Sequence, residues 1–133
     1  MKTTEYFSVK FVRKDSPGEE DNLIFLDQTK LPLEETYVKT DSYERIAEAI
    51  ERLEMRGAPL IGIAAAYALA LSLKNEESDY NAVFNSAYKR LHKTRPTAVN
   101  LFSSLNELKD RFESISDKKE SYEILINNAK KIH

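Results

Sequence analysis

Two short segments carry the residue types that grip an anion. In Arg56-Gly57-Ala58-Pro59 an arginine stands directly before a glycine turn, and Pro59 suits the first turn of a helix, where its missing N–H is no loss. The start of a helix presents unpaired backbone N–H groups and the positive end of the helix dipole. Glycine lets backbone come close to a ligand, and the guanidinium adds a planar, permanently charged fork. Together these features favour a phosphate or a carboxylate. Arg95-Pro96-Thr97 repeats the arrangement, with the hydroxyls of Thr94 and Thr97 as further donors. If the two helix starts meet in space, Arg56 and Arg95 clamp one anion. Asn100, one turn beyond Arg95, either lines the same pocket or bonds locally. The plainer alternative is that each arginine pairs with a surface carboxylate and Gly-Ala-Pro is ordinary turn chemistry.

Other chemistry is harder to build from this chain. It has no cysteine, which excludes disulfides, thiolate zinc sites and cysteine nucleophiles within these residues. Its two histidines, His92 and His133, are too few for a dedicated histidine metal centre, and no cofactor is expected. His92 falls near a helix end, where an imidazole meets the dipole favourably. Asp27, beside Gln28 and Lys30, reads as a turn residue rather than a catalytic acid. The tyrosines at helical spacing read as core or interface. The balance of 20 basic against 22 acidic residues, net −2, argues against a nucleic-acid footprint while leaving room for one phosphate.

The elements that must position these segments fall into two groups. At 133 residues, with 41% hydrophobic and 32% charged, the chain suits one domain with one core. The spacing predicts strands at Tyr6–Val12 and Leu23–Leu26 around a turn at Ser16–Asn22, then a third at Glu35–Lys39. Residues 1–40 thus form a β-rich part and residues 41–133 a helical part. Asp41 with Glu44 has the spacing of a capping box, and Ile46, Ala49, Ile50 and Leu53 make one apolar face, closed by Gly57. Leu60–Leu73 is apolar on nearly all sides, which predicts a central helix; at about 14 residues it is short of the roughly 20 that span a bilayer. Tyr80–Leu91 is amphipathic. Thr94 is the expected N-cap of a helix running to Phe112, Ser116–Glu120 a solvated loop, and Ser121–Ile132 the last helix. The N-terminus lacks the apolar run of a signal peptide, so a cytoplasmic protein is expected. The final helix runs into His133 with no Gly, Pro or cap, which reads either as a domain-sized piece of a longer protein or as a helix end that frays. The fold class is α+β: a small N-terminal antiparallel sheet followed by a bundle of about five helices.

Three ordered motifs then carry a resemblance. Leu26-Asp27-Gln28-Thr29-Lys30-Leu31-Pro32, Met55-Arg56-Gly57-Ala58-Pro59-Leu60-Ile61-Gly62-Ile63-Ala64-Ala65-Ala66-Tyr67 and Thr94-Arg95-Pro96-Thr97-Ala98-Val99-Asn100-Leu101 occur in that order. Over about Leu23 to Leu101 the chain resembles the N-terminal domain of the 5-methylthioribose-1-phosphate isomerases, aldose–ketose isomerases of methionine salvage. Their wider family includes ribose-1,5-bisphosphate isomerases and the α, β and δ subunits of the translation initiation exchange factor. The Leu-Asp-Gln segment and the Ala-Ala-Ala-Tyr tail favour the methylthioribose enzymes. The resemblance implies that Arg56, Gly57, Ala58 and Arg95 contact a phosphosugar, and that a small sheet and helical bundle precede a larger α/β domain. It implies too that the catalytic cysteine and aspartate belong to that second domain, so this chain is expected to supply a phosphate anchor without turnover of its own. The complete enzyme is expected to be a homodimer, with no nucleic-acid or membrane partner. The alternatives are a regulatory or interaction module like the exchange-factor subunits, or a relative of the ribose-1,5-bisphosphate isomerases.

Overall fold

The computed structural model describes residues 9–13, 21–55, 57–95 and 98–133. Among these, three strands come first: β1 (Val9–Val12), β2 (Asn22–Leu26) and β3 (Tyr37–Thr40). They form one antiparallel sheet with β2 in the middle. The register places Val9 opposite Phe25 and Phe25 opposite Val38, so one face carries Val9, Phe11, Leu23, Phe25 and Val38. That face turns to the core, while Lys10, Ile24 and Lys39 line up across the other. A short 3-10 turn, Gln28–Lys30, follows β2.

The five described helices are α1 (Tyr43–Glu51), α2 (Ala58–Leu71), α3 (Tyr80–His92), α4 (Val99–Glu113) and α5 (Ser121–Ile132). Helix α2 is buried almost all round and packs against α1, α3, α4, α5 and β1. The run of Ala64, Ala65, Ala66, Ala68 and Ala70 lets these neighbours come close, and Tyr67 stacks on Phe11 of the sheet with ring centroids 4.8 Å apart. Helix α3 runs antiparallel to α4: Phe84 stacks on Phe112 at 4.1 Å, the Tyr88 hydroxyl donates to Asn106 at 2.6 Å, and His92 stacks on Phe102 at 4.4 Å. Arg90 ties α3 to α1 through Glu44 and Glu51. Among the described residues no helix is long and apolar enough to cross a membrane.

Four local expectations are corrected. Ser42, not Asp41, caps α1: its Oγ accepts from the Arg45 N–H at 3.2 Å, while Asp41 pairs with Lys74 Nζ at 2.7 Å. The first helix ends well before Gly57. Leu53 adopts φ 64°, its N–H donates to the Ile50 carbonyl and that of Glu54 to Ala49, so a leucine fills the left-handed position glycine usually takes. Leu53 therefore leaves the apolar face and lies 43% exposed. Thr94 does not cap α4, whose N-cap is Ala98; the Thr94 hydroxyl donates back to the Leu91 carbonyl at 2.7 Å and closes α3 instead. Finally, 116–120 is not wholly a solvated loop, because Lys118–Glu120 forms a 3-10 turn whose half-buried Lys118 lies over the Phe112 ring at 4.2 Å.

Candidate functional site

Two contacts link the three motif segments, one on the stretch leading into α2 and one on its second turn. The first motif is tied to the residue just before the second: the Gln28 N–H donates to the Glu54 carbonyl at 2.8 Å. Asp27 is buried beside this contact and works as a turn residue, its Oδ1 accepting from the Thr29 N–H at 2.9 Å and the Thr29 hydroxyl at 2.6 Å.

The second motif joins the third through Gly62. A methyl group placed there would sit 2.9 Å from Ser104 Oγ and 3.0 Å from the Asn100 carbonyl oxygen. Glycine thus lets α4 press directly onto α2. Gly62 lies in the second turn of α2, and Asn100 and Ser104 in the first two turns of α4, so the two helix starts lie side by side.

Each start has its own local reason. Gly57 is the N-cap of α2 at φ 97°, a conformation that side chains rarely adopt, although the space around it is open. The Ile61 N–H closes onto the Gly57 carbonyl at 3.0 Å, and Pro59 occupies the first turn as the sequence predicts. On the other side, Arg95 follows the buried Thr94, and its carbonyl accepts from the Ala98 N–H at 3.0 Å. Ala98 is then the N-cap of α4. Neither Gly57 nor Ala98 has a side chain that caps, and Gly57, Ala58, Val99 and Asn100 are exposed. Two helix starts with no side-chain cap on their N-cap residues, one of them three residues after Arg95, can take an anion.

Of the residues expected at the site, Gly57, Ala58 and Asn100 lie in the two adjoining helix starts, and Arg95 is half-buried after the end of α3. Arg56, Pro96 and Thr97 lie outside the described residues. His92 ends α3 and is stacked on Phe102. Among the described residues no three His, Cys, Asp or Glu side chains group as they would to hold a metal ion. Sequence reasoning did not single out Gly62, Ser104, Glu54 or Arg45. A glycine inside an apolar helix is a signal for close backbone approach and points to Gly62. Glu54 and Arg45 have no such signal, because nine residues and a helix end separate them.

Known proteins share this sequence and fold. The Initiation factor 2 subunit family matches residues 54–133. The chain is 48% identical over 107 residues to a methylthioribose-1-phosphate isomerase of Desulfitobacterium hafniense, covering 78% of this chain and 31% of that protein. It is 43% identical over 117 residues to the protein of that name from Carboxydothermus hydrogenoformans, covering 84% and 34%. In three dimensions it resembles 5-methylthioribose 1-phosphate isomerase from Pyrococcus horikoshii, with a TM-score of 0.82, 34% identity and coverage of 94% of this chain and 35% of that one. It also resembles the delta subunit of translation initiation factor eIF-2B from A. fulgidus, with a TM-score of 0.73, 32% identity and coverage of 85% and 34%. The chain thus spans about a third of the length of the curated relatives it matches. With more than half of its residues inside the family match, and with the fold of two solved relatives, the chain belongs to the Initiation factor 2 subunit family.

Proposed function

We propose that this chain is the phosphosugar-binding part of an isomerase that converts 5-methylthioribose 1-phosphate to 5-methylthioribulose 1-phosphate. The observation that carries the reading is the pairing of two uncapped helix starts, α2 at Gly57 and α4 at Ala98, inside the segments that resemble those isomerases. Arg56, Gly57, Ala58 and Arg95 are the proposed phosphate contacts, with Asn100 as a further candidate. The guanidinium groups hold the dianion, and the backbone N–H groups of the helix starts share its charge.

The chemistry explains why an anchor matters. The anomeric phosphate locks the sugar as a ring, so the ring must open before hydrogen moves between C1 and C2. That needs a proton donor and an acceptor beside the reacting carbons. Arginines remain protonated and cannot serve as either base or proton store. Their part is to fix the phosphate, and through it the position of C1 and C2. The donor and acceptor are proposed to come from the family's cysteine-containing α/β domain. On this reading the chain alone binds substrate without turning it over, and its working compartment is the cytoplasm, where sugar phosphates are made and used.

Isothermal titration of the chain with 5-methylthioribose 1-phosphate tests the reading. Binding is expected, and Arg56→Ala or Arg95→Ala each weakens it by about tenfold to a hundredfold, the worth of a hydrogen bond to a charged group. Binding that is absent, or equal in wild type and both variants, overturns it. The likeness to the eIF-2B delta subunit supports a second reading, a regulatory or interaction module. Loss of the first reading together with specific capture of a translation factor would favour the second.

A further inference from the structure

Glu54 is a buried carboxylate that anion binding does not use. Its backbone N–H donates to the Ala49 carbonyl at 2.9 Å, and its carbonyl accepts from Gln28 at 2.8 Å. Its Oε1 accepts from Arg45 Nη2 at 2.7 Å, with the Glu54 side chain 8% exposed and that of Arg45 30%. Arg45 is itself fixed in the first turn of α1, its N–H on Ser42 Oγ and its guanidinium 5.7 Å from the Phe25 ring centroid. Glu54 is therefore held at both backbone groups and at its side chain. The chain just before it is left-handed at Leu53, and the chain just after reaches the left-handed Gly57.

As a source of stability the pair is weak. It has a single contact, and Arg45 Nη1 is buried with no hydrogen-bond partner among the described residues. A buried ion pair with an unmet donor adds little over apolar side chains of the same size. What it supplies is location, because it pins to α1 and the sheet the one stretch of chain that delivers Gly57 to the site. We infer that Glu54, held by Arg45, is a positioning residue for the proposed phosphosugar site, fixing the approach to α2 so that its open start stays beside that of α4. This rests on the phosphosugar reading.

The test compares Glu54→Ala, Glu54→Gln and the control Arg90→Ala, which cuts the tie between α1 and α3 away from the site. Two quantities are measured on the full chain: amide hydrogen exchange by segment, and the Kd for 5-methylthioribose 1-phosphate. In Glu54→Ala, exchange over 53–58 is expected to quicken about tenfold while α4 and α5 keep their protection. Kd is expected to rise about tenfold or more, since a small misplacement of binding groups is costly. Glu54→Gln, whose amide oxygen still accepts from Arg45, stays close to wild type in both. Arg90→Ala lowers Tm without either change. Unaltered exchange over 53–58 in Glu54→Ala, or a rise spread evenly over the molecule, overturns the inference. So does a wild-type Kd in folded Glu54→Ala. If the wild-type chain does not bind the sugar phosphate, the phosphosugar reading fails, and the exchange data still decide whether Glu54 holds this segment. Should Glu54→Ala not fold, Arg45→Met removes the partner from the α1 side and is read by the same criteria.

Discussion

The described helix starts differ in how they, and the chain leading into them, are closed. Helix α1 is closed by its own Ser42 hydroxyl. The loop before α3, not the first turn of the helix, is tied by Glu76, whose carboxylate takes the N–H groups of Ser78 at 3.3 Å and Asp79 at 2.9 Å and is held below the usual range by those bonds. The separate 3-10 turn before α5 is capped by Asp117, which accepts from Lys119 at 3.1 Å. The starts of α2 and α4 fall at Gly57 and Ala98, residues with no oxygen to give. Closing a start with a serine is worth about 1 kcal/mol. Asp79 at the start of α3 and Glu120 at the start of α5 also give no side-chain cap, so what sets α2 and α4 apart is that their first two turns touch through Gly62. The open starts of α2 and α4 are thus brought together, while those of α3 and α5 stand apart from them.

This contrast can be attacked from both sides. The largest effect is expected from giving α4 the cap it lacks. Ala98 has an extended backbone suited to a capping residue, so Ala98→Asp should stabilise the free chain by about 0.5–1 kcal/mol. It should also weaken binding of 5-methylthioribose 1-phosphate by about tenfold or more, because a carboxylate now occupies the anion's place. Opposite movement of Tm and Kd, by thermal melts and titration, is the signature; parallel movement would deny the open start any role. Next is Gly62→Ala. Alanine gains about 1 kcal/mol of helix propensity over glycine, but the clash with Ser104 Oγ and the Asn100 carbonyl should reverse that to a net loss of about 1–2 kcal/mol. The loss is read by urea unfolding and is accompanied by weaker binding.

A smaller change is expected at the closed start of α1. Ser42→Ala should lower stability by about 1 kcal/mol and leave Kd untouched. The smallest effect is a matter of pH. The Arg90 guanidinium holds the Glu51 carboxyl below its ordinary value of 4.5. A depressed carboxyl contributes stability above its unfolded value and loses it as pH falls through the folded one. Stability should therefore decline below about pH 4.5, and Arg90→Gln should flatten that decline in a series of melts.

The fold was legible wherever periodicity spoke for itself. Tyr80–Leu91 and Ser121–Ile132 show an apolar face at helical spacing, and α3 and α5 match them to within a residue. The uniformly apolar α2 was legible as a central helix for the same reason. What misled were choices between adjacent residues with equal capping chemistry. Asp41 and Ser42 both cap well, and Lys74, distant in sequence, draws Asp41 away. Leu53 hides a helix end because leucine rarely takes a left-handed backbone. At the site, the sequence exposed the anion-binding residue types, whereas the side-by-side helix starts depend on Gly62, Asn100 and Ser104, a contact between distant segments. The Arg45–Glu54 pair is likewise a product of packing, invisible to any local rule.

The outward row Lys10, Ile24, Lys39 governs how this molecule meets copies of itself. Strands β1 and β3 are the margins of a three-stranded sheet, and an ammonium stands on each side of the lone isoleucine at its centre. Stacking another sheet there would strip water from cations, so strand-to-strand aggregation is discouraged on that flank.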